Sequence, residues 1–530
     1  MANSLPVYRL SYVETDSSQT VNLAQNLFKA NDNFEMSQLQ SGGHLVSNSQ
    51  FTLETSNGGL DIWASDKVQR WNPAIRPQLL KESDAINAVN KIVQEKKLLP
   101  PLQKPFQYAK PQIGGTYFSV YQNKKRENHQ LDTQIVYPML VNGLPIVGGR
   151  GDFMVSLGDR GQLTGFSGGG ITVSDSFNVE AFDKKYAEGV FRDITKSLNV
   201  ESFDSYLAYH AGHVFDKQEY LYPVLVFRAS IKMGNQKIAL RNIIVPATDF
   251  GPKPQKSVPQ SKRNANSVAL KDITEKSKIK RNYQTRSLAV TTPWEAGTSW
   301  IGESGGLGGS KGNAQGFVDE WRSAGWKINF NWGDSNAWES DWRSNDDSWV
   351  DAADFVFYTG HANMNGWVLA NPDDGFLNFS EIGNAPQSPG DLWGQNDLEW
   401  AIIAACGPLQ DDLLYPGGGD VLSRWDGIFD GMHILMGYGG VTFDNTDEGR
   451  KVSQYAKQGN TLIQSWFRAA QEIQPATNGY SAPDGPNIYV GAMWASKQGA
   501  DPYNDHAWGY GSVSNDPTSP TSLSAMWTLC

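Results

Sequence analysis

The sequence predicts a protein of the α/β class, in which an α+β region of residues 1–250 precedes an α/β region of residues 288–530 with a mostly parallel sheet. Three observations support this prediction. Hairpin-type strands dominate the first region, short and fully apolar strands separated by helices dominate the second, and the composition changes between them. With 530 residues the chain is long enough for two or three domains.

The change in composition involves both charge and tryptophan. Residues 1–251 carry a net charge of +1, residues 252–287 one of +8, and residues 288–530 one of −20. Sixteen of the 18 tryptophans lie from Trp294 onward. Residues 251–287 are rich in Lys, Pro, Ser, Asn and Gln, which predicts an exposed basic linker, in the simplest case a solvated tether.

In the first region, a helical pattern precedes paired strands. Residues 84–97 have apolar side chains at helical spacing and follow Ser83, which predicts a helix capped by that serine. The dipeptide Asn142-Gly143 is typical of a two-residue hairpin turn. The predicted strands cover residues 117–121, 134–141, 144–147, 152–157, 162–167, 220–231 and 236–245.

In the second region, apolar runs alternate with helical patterns. Residues 316–325 and 448–473 are predicted to be helical. The predicted strands cover residues 326–332, 353–358, 398–405, 432–438 and 487–494. Short strands that are apolar on both faces are typical of a buried parallel sheet covered by helices.

Two of these strands end in chemically reactive residues. His361 follows the run at 353–358, and Cys406 follows the run at 398–405. Ligand sites in open parallel sheets lie beyond the carboxyl ends of the strands, so neighbouring strands would bring imidazole and thiol together. The backbone amides of Ala362 and Cys406 would then bind the oxyanion formed on the substrate. Each residue alone is more often a packing or loop residue; both together predict a catalytic dyad.

The segments around these residues read VDAADFVFYTGHA, LEWAIIAACGPL and GMHILMGYGG. They resemble the caspase-like (clan CD) cysteine peptidases, in particular a little-characterised group of caspase-like domains of unknown function. The resemblance covers about residues 294–494 and implies a caspase-like α/β/α sandwich. It also implies that His361 is the acid/base and Cys406 the nucleophile. The usual His-Gly of the family is here His361-Ala362, whose methyl group could crowd the substrate.

Three functions remain open for such a dyad. The first, which the sequence predicts, is a cysteine endopeptidase. The second is a catalytically inactive binding or structural protein, in which the many tryptophans would form aromatic contact surfaces. The third is a transpeptidase or cyclase, which passes the same acyl group to an amine rather than to water.

Residues 137–169, YPMLVNGLPIVGGRGDFMVSLGDRGQLTGFSGG, resemble the PepSY and FTP modules that precede secreted peptidases. The resemblance implies a propeptide-like region, although a generic accessory domain would show much of the same strand pattern. The prediction is therefore a proenzyme with autoprocessing in its basic linker. The processing candidates are Lys262, Arg263, Lys280 and Arg281.

Substrate selection is predicted to involve the loop after the run at 432–438. Tyr438, Asp444 and Asp447, with Glu448 beside them, would give an acidic pocket that selects Lys or Arg. A solvated acidic surface is the simpler alternative. The expected partner is therefore a protein or peptide substrate.

Several other functions are excluded or not predicted. Two cysteines, Cys406 and Cys530, rule out a disulfide framework and a cysteine-rich metal site, and Cys530 is expected to be inert. The pI near 5.2 argues against nucleic-acid binding. Residues 305–312 lack the Gly-Lys-Ser/Thr ending of a phosphate-binding loop. No metal and no cofactor is predicted, although Asp346-Asp347 and Asp373-Asp374-Gly375 leave a calcium site open.

The sequence does not indicate a membrane segment, because no apolar run approaches about 20 residues. No signal peptide is visible at the start, so the compartment stays open between the cytoplasm and, if a leader has been removed, secretion. The oligomeric state is not predicted. Of the other histidines, His433 is expected to be a hydrogen-bonded core residue and His506 a surface-loop residue.

Overall fold

The computed structural model describes residues 4–12, 17–28, 34–39, 43–56, 61–99, 102–251, 294–370, 374–382, 392–477 and 487–530. These residues form two large sheets, one small sheet and the helices packed on them, so the prediction of a mixed α/β protein is confirmed. Within these ranges no helix is both long enough and apolar enough to span a membrane.

The first 250 residues supply a sheet of 16 strands. Helices in this region are α1 (Ser17–Phe28), α2 (Glu82–Lys96) and α3 (Lys184–Ile194). The strands are β1 (Ser4–Leu10), β2 (Glu35–Gln38), β3 (His44–Ser47), β4 (Phe51–Thr55), β5 (Ile62–Asp66), β6 (Phe106–Tyr108), β7 (Gln112–Gly114), β8 (Tyr117–Gln122), β9 (Lys125–Gln130), β10 (Thr133–Val141), β11 (Leu144–Val147), β12 (Asp152–Leu157), β13 (Leu163–Gly168), β14 (Val173–Glu180), β15 (Val200–His210), β16 (Tyr220–Met233), β17 (Gln236–Ala239) and β18 (Ile243–Pro246). All of them except β8 and β9 belong to this sheet.

Most of the predicted elements of this region are confirmed, including α2 and the β10–β11 hairpin. Asn142 and Gly143 both have positive φ, 51° and 78°, as a tight turn between twisted strands requires. Two predictions were wrong in detail. The helix is preceded by Lys81 rather than capped by Ser83, which lies inside α2. The strand expected over 236–245 is two strands, separated at residues 240–242.

The second region forms a sheet of nine strands in the order β20-β19-β21-β25-β26-β27-β28-β8-β9. The first five strands are parallel and the last four antiparallel. Its own strands are β19 (Glu295–Trp300), β20 (Lys327–Gly333), β21 (Phe355–Thr359), β25 (Trp400–Ala404), β26 (Ile434–Tyr438), β27 (Tyr489–Ser496) and β28 (Ser522–Leu529), and β22 (Ala362–Asn363), β23 (Gly366–Val368) and β24 (Phe376–Asn378) form the small sheet. The helices are α4 (Ser310–Ser323), α5 (Val421–Trp425), α6 (Glu448–Lys457) and α7 (Leu462–Ile473).

The predicted strands of this region are confirmed, and the helical stretch at 448–473 consists of α6 and α7 with a break between them. Strands β19 and β28 were not predicted. The sheet also takes two strands from the first region, because β8 pairs with β28 over six residues. The two regions therefore share one sheet.

The nine-stranded sheet is buried on both faces. Phe355 and Phe357 of β21 pack on the side of α4, α6 and α7, while Val356 and Tyr358 face the opposite core. Nine tryptophans are less than 2 % exposed: Trp300, Trp321, Trp342, Trp367, Trp393, Trp400, Trp425, Trp466 and Trp527. Their enrichment in this region thus reflects core packing to a large extent.

Candidate functional site

His361 and Cys406 lie at the carboxyl ends of neighbouring parallel strands. Strands β21 and β25 pair directly, with Thr359 opposite Ala404. Each candidate residue comes two positions after that pair, at the same edge of the sheet. Both side chains are buried, His361 with 0 % and Cys406 with 2 % of its surface exposed. The fold therefore brings the two predicted residues to one edge.

The imidazole of His361 has a partner at each nitrogen. Nε2 lies 2.7 Å from the carbonyl oxygen of Gly305 and therefore donates to it. Nδ1 accepts a hydrogen bond of 3.3 Å from the backbone N–H of Arg241. Burial lowers the pKa of His361 to about 4; the Gly305 contact opposes this shift and the positive charge of Arg241 adds to it. The imidazole is consequently neutral at pH 7, with its proton on Nε2.

The thiol of Cys406 is held by Thr442. The backbone N–H of Thr442 donates to Sγ over 3.4 Å, and the threonine hydroxyl lies 3.8 Å from the same sulfur. Burial raises the pKa of Cys406 above its usual value of 9.0, although the charge of Arg241 and the contacts with Thr442 oppose that rise. The next residue, Gly407, has a φ of +78°, a left-handed turn that glycine adopts without strain.

In this arrangement the imidazole is neutral and burial favours the protonated thiol. A neutral thiol is a poor nucleophile, and the Nδ1 that would accept its proton is engaged by Arg241. Among the described residues no hydrogen bond joins the imidazole of His361 to the thiol of Cys406.

Arg241, which sequence reasoning did not single out, contacts His361. It lies between β17 and β18. Ala239 is opposite Ser230 of β16, and Ile243 is opposite Phe227, so three residues of this segment lie opposite two residues of β16. That extra residue is a β-bulge, a device that redirects a side chain out of the ladder. A single arginine inside a strand-like pattern gives no sequence signal for such a role.

The guanidinium of Arg241 is fully buried and bonded entirely to the second region. Nη2 donates to Oε1 of Glu448 over 2.8 Å. Nη1 donates to the carbonyl oxygen of Ala404 over 3.0 Å and to the hydroxyl of Thr359 over 3.3 Å. Burial disfavours this charge, but the nearby carboxylates of Glu448 and Asp444, together with Cys406 and Tyr438, outweigh that cost and raise the pKa of Arg241.

The carboxylate of Glu448 is held by further donors. The Tyr438 hydroxyl donates to Oε1 over 2.7 Å and Nε2 of Gln474 donates to the same oxygen over 2.9 Å. Nδ2 of Asn313 donates to Oε2 over 2.9 Å. Burial raises the pKa of Tyr438 well above 10, so it remains a hydrogen-bond donor. Tyr438 thus contributes to this acidic site by holding Glu448.

The two other predicted pocket residues have different surroundings. Asp444 is near Arg241 and accepts a 2.8 Å hydrogen bond from the N–H of Gly309, ahead of α4. Burial raises the pKa of Asp444 to about 6, against the lowering effect of Arg241. Asp447 instead bonds to Arg450 at 2.6 Å and lies 3.4 Å from His213.

Asp447 borders a cavity of about 630 Å³ between the two regions. Neither His361 nor Cys406 lines this cavity. Its walls are formed by Ile194, His210, Gly212, His213, Asp216, Lys217, Gln218, Glu219, Tyr222, Ile243, Ile244, Pro246, Gly306, Gly308, Gly309, Asp444, Asn445, Thr446 and Asp447. The nearby cations Arg450 and Lys451 offset the charges of Asp447 and Asp216, so this acidic group does not by itself indicate a metal site.

The remaining sequence candidates are placed as follows. Ala362, expected to contribute an oxyanion amide, is fully buried at the start of β22. His433 is a buried, hydrogen-bonded residue, as expected. His506 lies in a loop, where its Nδ1 is 3.2 Å from the Ser512 carbonyl oxygen. Cys530 is a buried free thiol. The processing candidates Lys262, Arg263, Lys280 and Arg281, with Asp373 of the calcium candidates, lie outside the described residues.

No curated protein matches the chain. A crystal structure of an uncharacterized protein from Eubacterium rectale ATCC 33656 is similar with a TM-score of 0.30 and 13 % identity, over 47 % of this chain and 85 % of that chain. A likeness of that size carries no argument about function. Residues 295–529, from the start of β19 to the end of β28, match the family described as "Domain of unknown function (DUF6345)".

Proposed function

We propose that this protein is a cysteine endopeptidase made as a proenzyme, with a caspase-like arrangement of residues 288–530. The observation that carries the proposal is the position of His361 and Cys406, each two residues beyond the paired Thr359 and Ala404. Parallel strands place such residues at a shared edge, where ligand sites of open sheets form. The resemblance to caspase-like peptidases assigns the same two residues to catalysis.

The reaction follows from the chemistry of the pair. His361 takes the proton of the Cys406 thiol, and the thiolate attacks the carbonyl carbon of the peptide bond. The amides of Ala362 and Cys406 would stabilise the tetrahedral oxyanion. The C–N bond then breaks, and the leaving amine takes the proton from His361. Water, deprotonated by His361, hydrolyses the thioester and regenerates the thiol.

The resting state of the site supports a proenzyme. The thiol is protonated, the imidazole is neutral, and its Nδ1 is occupied by the Arg241 amide. Residues from the first 250 positions thus keep the pair from reacting until they move. We also propose that the protein cuts its own basic linker, either within one molecule or between two molecules.

The test is covalent labelling of the full chain with peptidyl acyloxymethyl ketones, which alkylate a catalytic thiol. We expect Cys406 to be labelled in the wild type. If Arg241 covers the site too tightly for the probe, we expect Cys406 to be labelled in the Arg241→Ala variant. Cys406→Ala should abolish it, and Cys530→Ala, which removes the other buried free thiol, should not. His361→Ala should slow labelling by about 100-fold or more, the usual contribution of a general base. Absence of Cys406-dependent label in both backgrounds would overturn the proposal.

A second prediction concerns processing. If the proenzyme cuts its own linker, the purified wild type should accumulate fragments ending between residues 252 and 287, at a rate that Cys406→Ala abolishes. Intact-mass measurement over time locates the cut at Lys262, Arg263, Lys280 or Arg281. Equal fragmentation of both proteins would mean that another protease makes the cut.

A second candidate function is an inactive protein on the same scaffold. It is favoured by Ala362, which replaces the usual glycine, and by the absence, within the described ranges, of a direct His361–Cys406 hydrogen bond. The labelling test separates the two candidates, because an inactive scaffold leaves Cys406 unlabelled even when Arg241 is removed.

A further inference from the structure

Residues 240–242, which connect β17 and β18 and which we call the bulge segment, lie next to His361 and Cys406. It belongs to the first 250 residues, and the N–H of Leu240 donates to the Ala229 carbonyl of β16, but Arg241 and Asn242 bond to the second region. The backbone N–H of Asn242 donates to the carbonyl of Thr442 over 2.8 Å, and the N–H of Asp444 donates to the carbonyl of Asn242 over 3.1 Å. This is the main-chain pairing by which an extended peptide binds along a strand-like edge.

The bulge segment also covers the dyad. The amide of Arg241 bonds to Nδ1 of His361, and Thr442, which pairs with Asn242, is the residue that holds the thiol of Cys406. An extended chain on this edge therefore lies beside both the base and the nucleophile. A peptide substrate would have to use the same edge to reach them.

The site that receives the Arg241 side chain is built without any residue of the first region. Its acceptors are Glu448, Ala404 and Thr359, and the donors that fix Glu448 are Tyr438, Gln474 and Asn313. All six lie within residues 295–529. A buried carboxylate needs a cation, because an unpaired charge in the interior is strongly destabilising. The acceptors of this site therefore fit a guanidinium, whether or not Arg241 supplies it.

We propose that the bulge segment occupies the substrate cleft, that Arg241 inhibits the enzyme by filling its primary pocket, and that the substrate carries arginine at the same position. This inference rests on the function proposed above and adds its substrate class and its regulation. Arginine is favoured over lysine, since two guanidinium nitrogens bond to acceptors in three different residues, an arrangement that a single ammonium group cannot reproduce. Activation then means displacement of the bulge segment by a substrate or by a change in the first region.

The first test measures labelling of Cys406 by acyloxymethyl ketones that carry Arg, Lys or Asp at the terminal position. We expect Arg241→Ala to raise the rate for the arginine probe at least tenfold, and that probe to exceed the lysine probe by about tenfold, the value of one lost charged hydrogen bond. Adding Glu448→Gln should remove the arginine preference. The matched control is Arg192→Ala, an exposed arginine of α3 that lies above the Phe203 ring; it should label like the wild type.

The second test does not depend on catalysis. Arg241→Ala empties the guanidinium site, so ethylguanidinium should raise its Tm while ethylammonium at the same concentration should not, and neither should affect the wild type. Selective stabilisation with no Cys406 label would support the arginine site and overturn the peptidase. Label that shows no arginine preference, or no response to Arg241→Ala, would overturn this inference and leave the peptidase standing. Equal effects of both cations would also overturn it.

Discussion

Two buried histidines of this protein have pKa values shifted in opposite directions. His361 has a carbonyl and an amide as partners, and burial lowers its pKa to about 4. Burial acts on His433 in the same way, but Asp505 at 2.5 Å and Asp516 at 3.3 Å outweigh it and raise its pKa. His361 is therefore neutral at neutral pH, whereas the two carboxylates favour the protonated form of His433.

These opposite shifts predict opposite pH dependence. Between pH 6.5 and 4 the unfolded chain protonates His361 while the folded protein does not, so this residue costs up to about 3 kcal/mol of stability as the pH falls. His433 contributes stability below its unfolded pKa and loses it as pH rises through its folded pKa.

The measurement is the free energy of unfolding in urea from pH 4.5 to 8. Relative to the wild type, His361→Asn should become less harmful as the pH falls, and His433→Asn more harmful. Parallel pH profiles for the two variants would show that the charge states assigned to the histidines are wrong.

At the residue scale, sequence reasoning placed His361 and Cys406 at one edge of the sheet because each follows an apolar run, a local signal. It also found Tyr438, Asp444 and Glu448 near one another in sequence. It did not single out Arg241, because the partners of this residue lie far away in sequence. Its orientation toward His361 depends on the one extra residue between β17 and β18 relative to β16. The sequence does not indicate such an extra residue, because the segments on both sides of it show the alternating pattern of strands.

At the level of elements, the bulge between β17 and β18 decides where Arg241 points. Ala239 pairs with Ser230 and Ile243 with Phe227, so removing one residue would allow a continuous ladder along β16. The apolar residues Ile238 and Ile243 would keep their positions, because each remains in its present register.

This predicts the outcome of deleting Arg241 in a Glu448→Gln background, where the charge of Glu448 is no longer left unpaired. Hydrogen exchange of amides in 236–246 should slow as the ladder closes. The control is Arg241→Ala in the same background, which keeps the residue count and hence the bulge. If the deletion instead speeds exchange throughout β17 and β18, the bulge is required for these strands to form.

The element boundaries that sequence analysis missed have simple causes. Strand β19 reads EAGTSW, with few β-branched or large apolar residues to signal a strand. Gly297 is needed there because a Cβ would lie 2.0 Å from the Phe330 ring. The helical stretch 448–473 divides because Gly459 adopts a positive φ of 81°, which ends α6.

For the molecule as a whole, the shared sheet joins the two regions firmly. Strand β8 pairs with β28, Gln134 bonds to Thr528 and to the amide of Leu529, and Arg126 bonds to both oxygens of Asp411. Asp411 is fully buried, so loss of Arg126 would leave a buried charge without its partner. The first region is therefore part of the sheet and not simply a detachable cover.

We accordingly predict that cutting the linker does not separate the two regions. A site for a specific protease inserted within residues 252–287 should yield two fragments that coelute in gel filtration and separate only in concentrated urea. Arg126→Ala in the cut protein should lower the urea concentration needed. Elution of the first fragment alone in native buffer would contradict this prediction and would favour release of a whole inhibitory domain.

The pairing of β8 with β28 also has a consequence for synthesis. The two strands are separated by about 400 residues, so β8 emerges from the ribosome long before its partner exists. During that interval β9, with Lys125, Arg126 and Glu127, covers one side of β8 and discourages pairing with other chains. Arg241 likewise precedes Cys406 in translation, so under the inhibition proposed above the inhibitor would be made before the nucleophile.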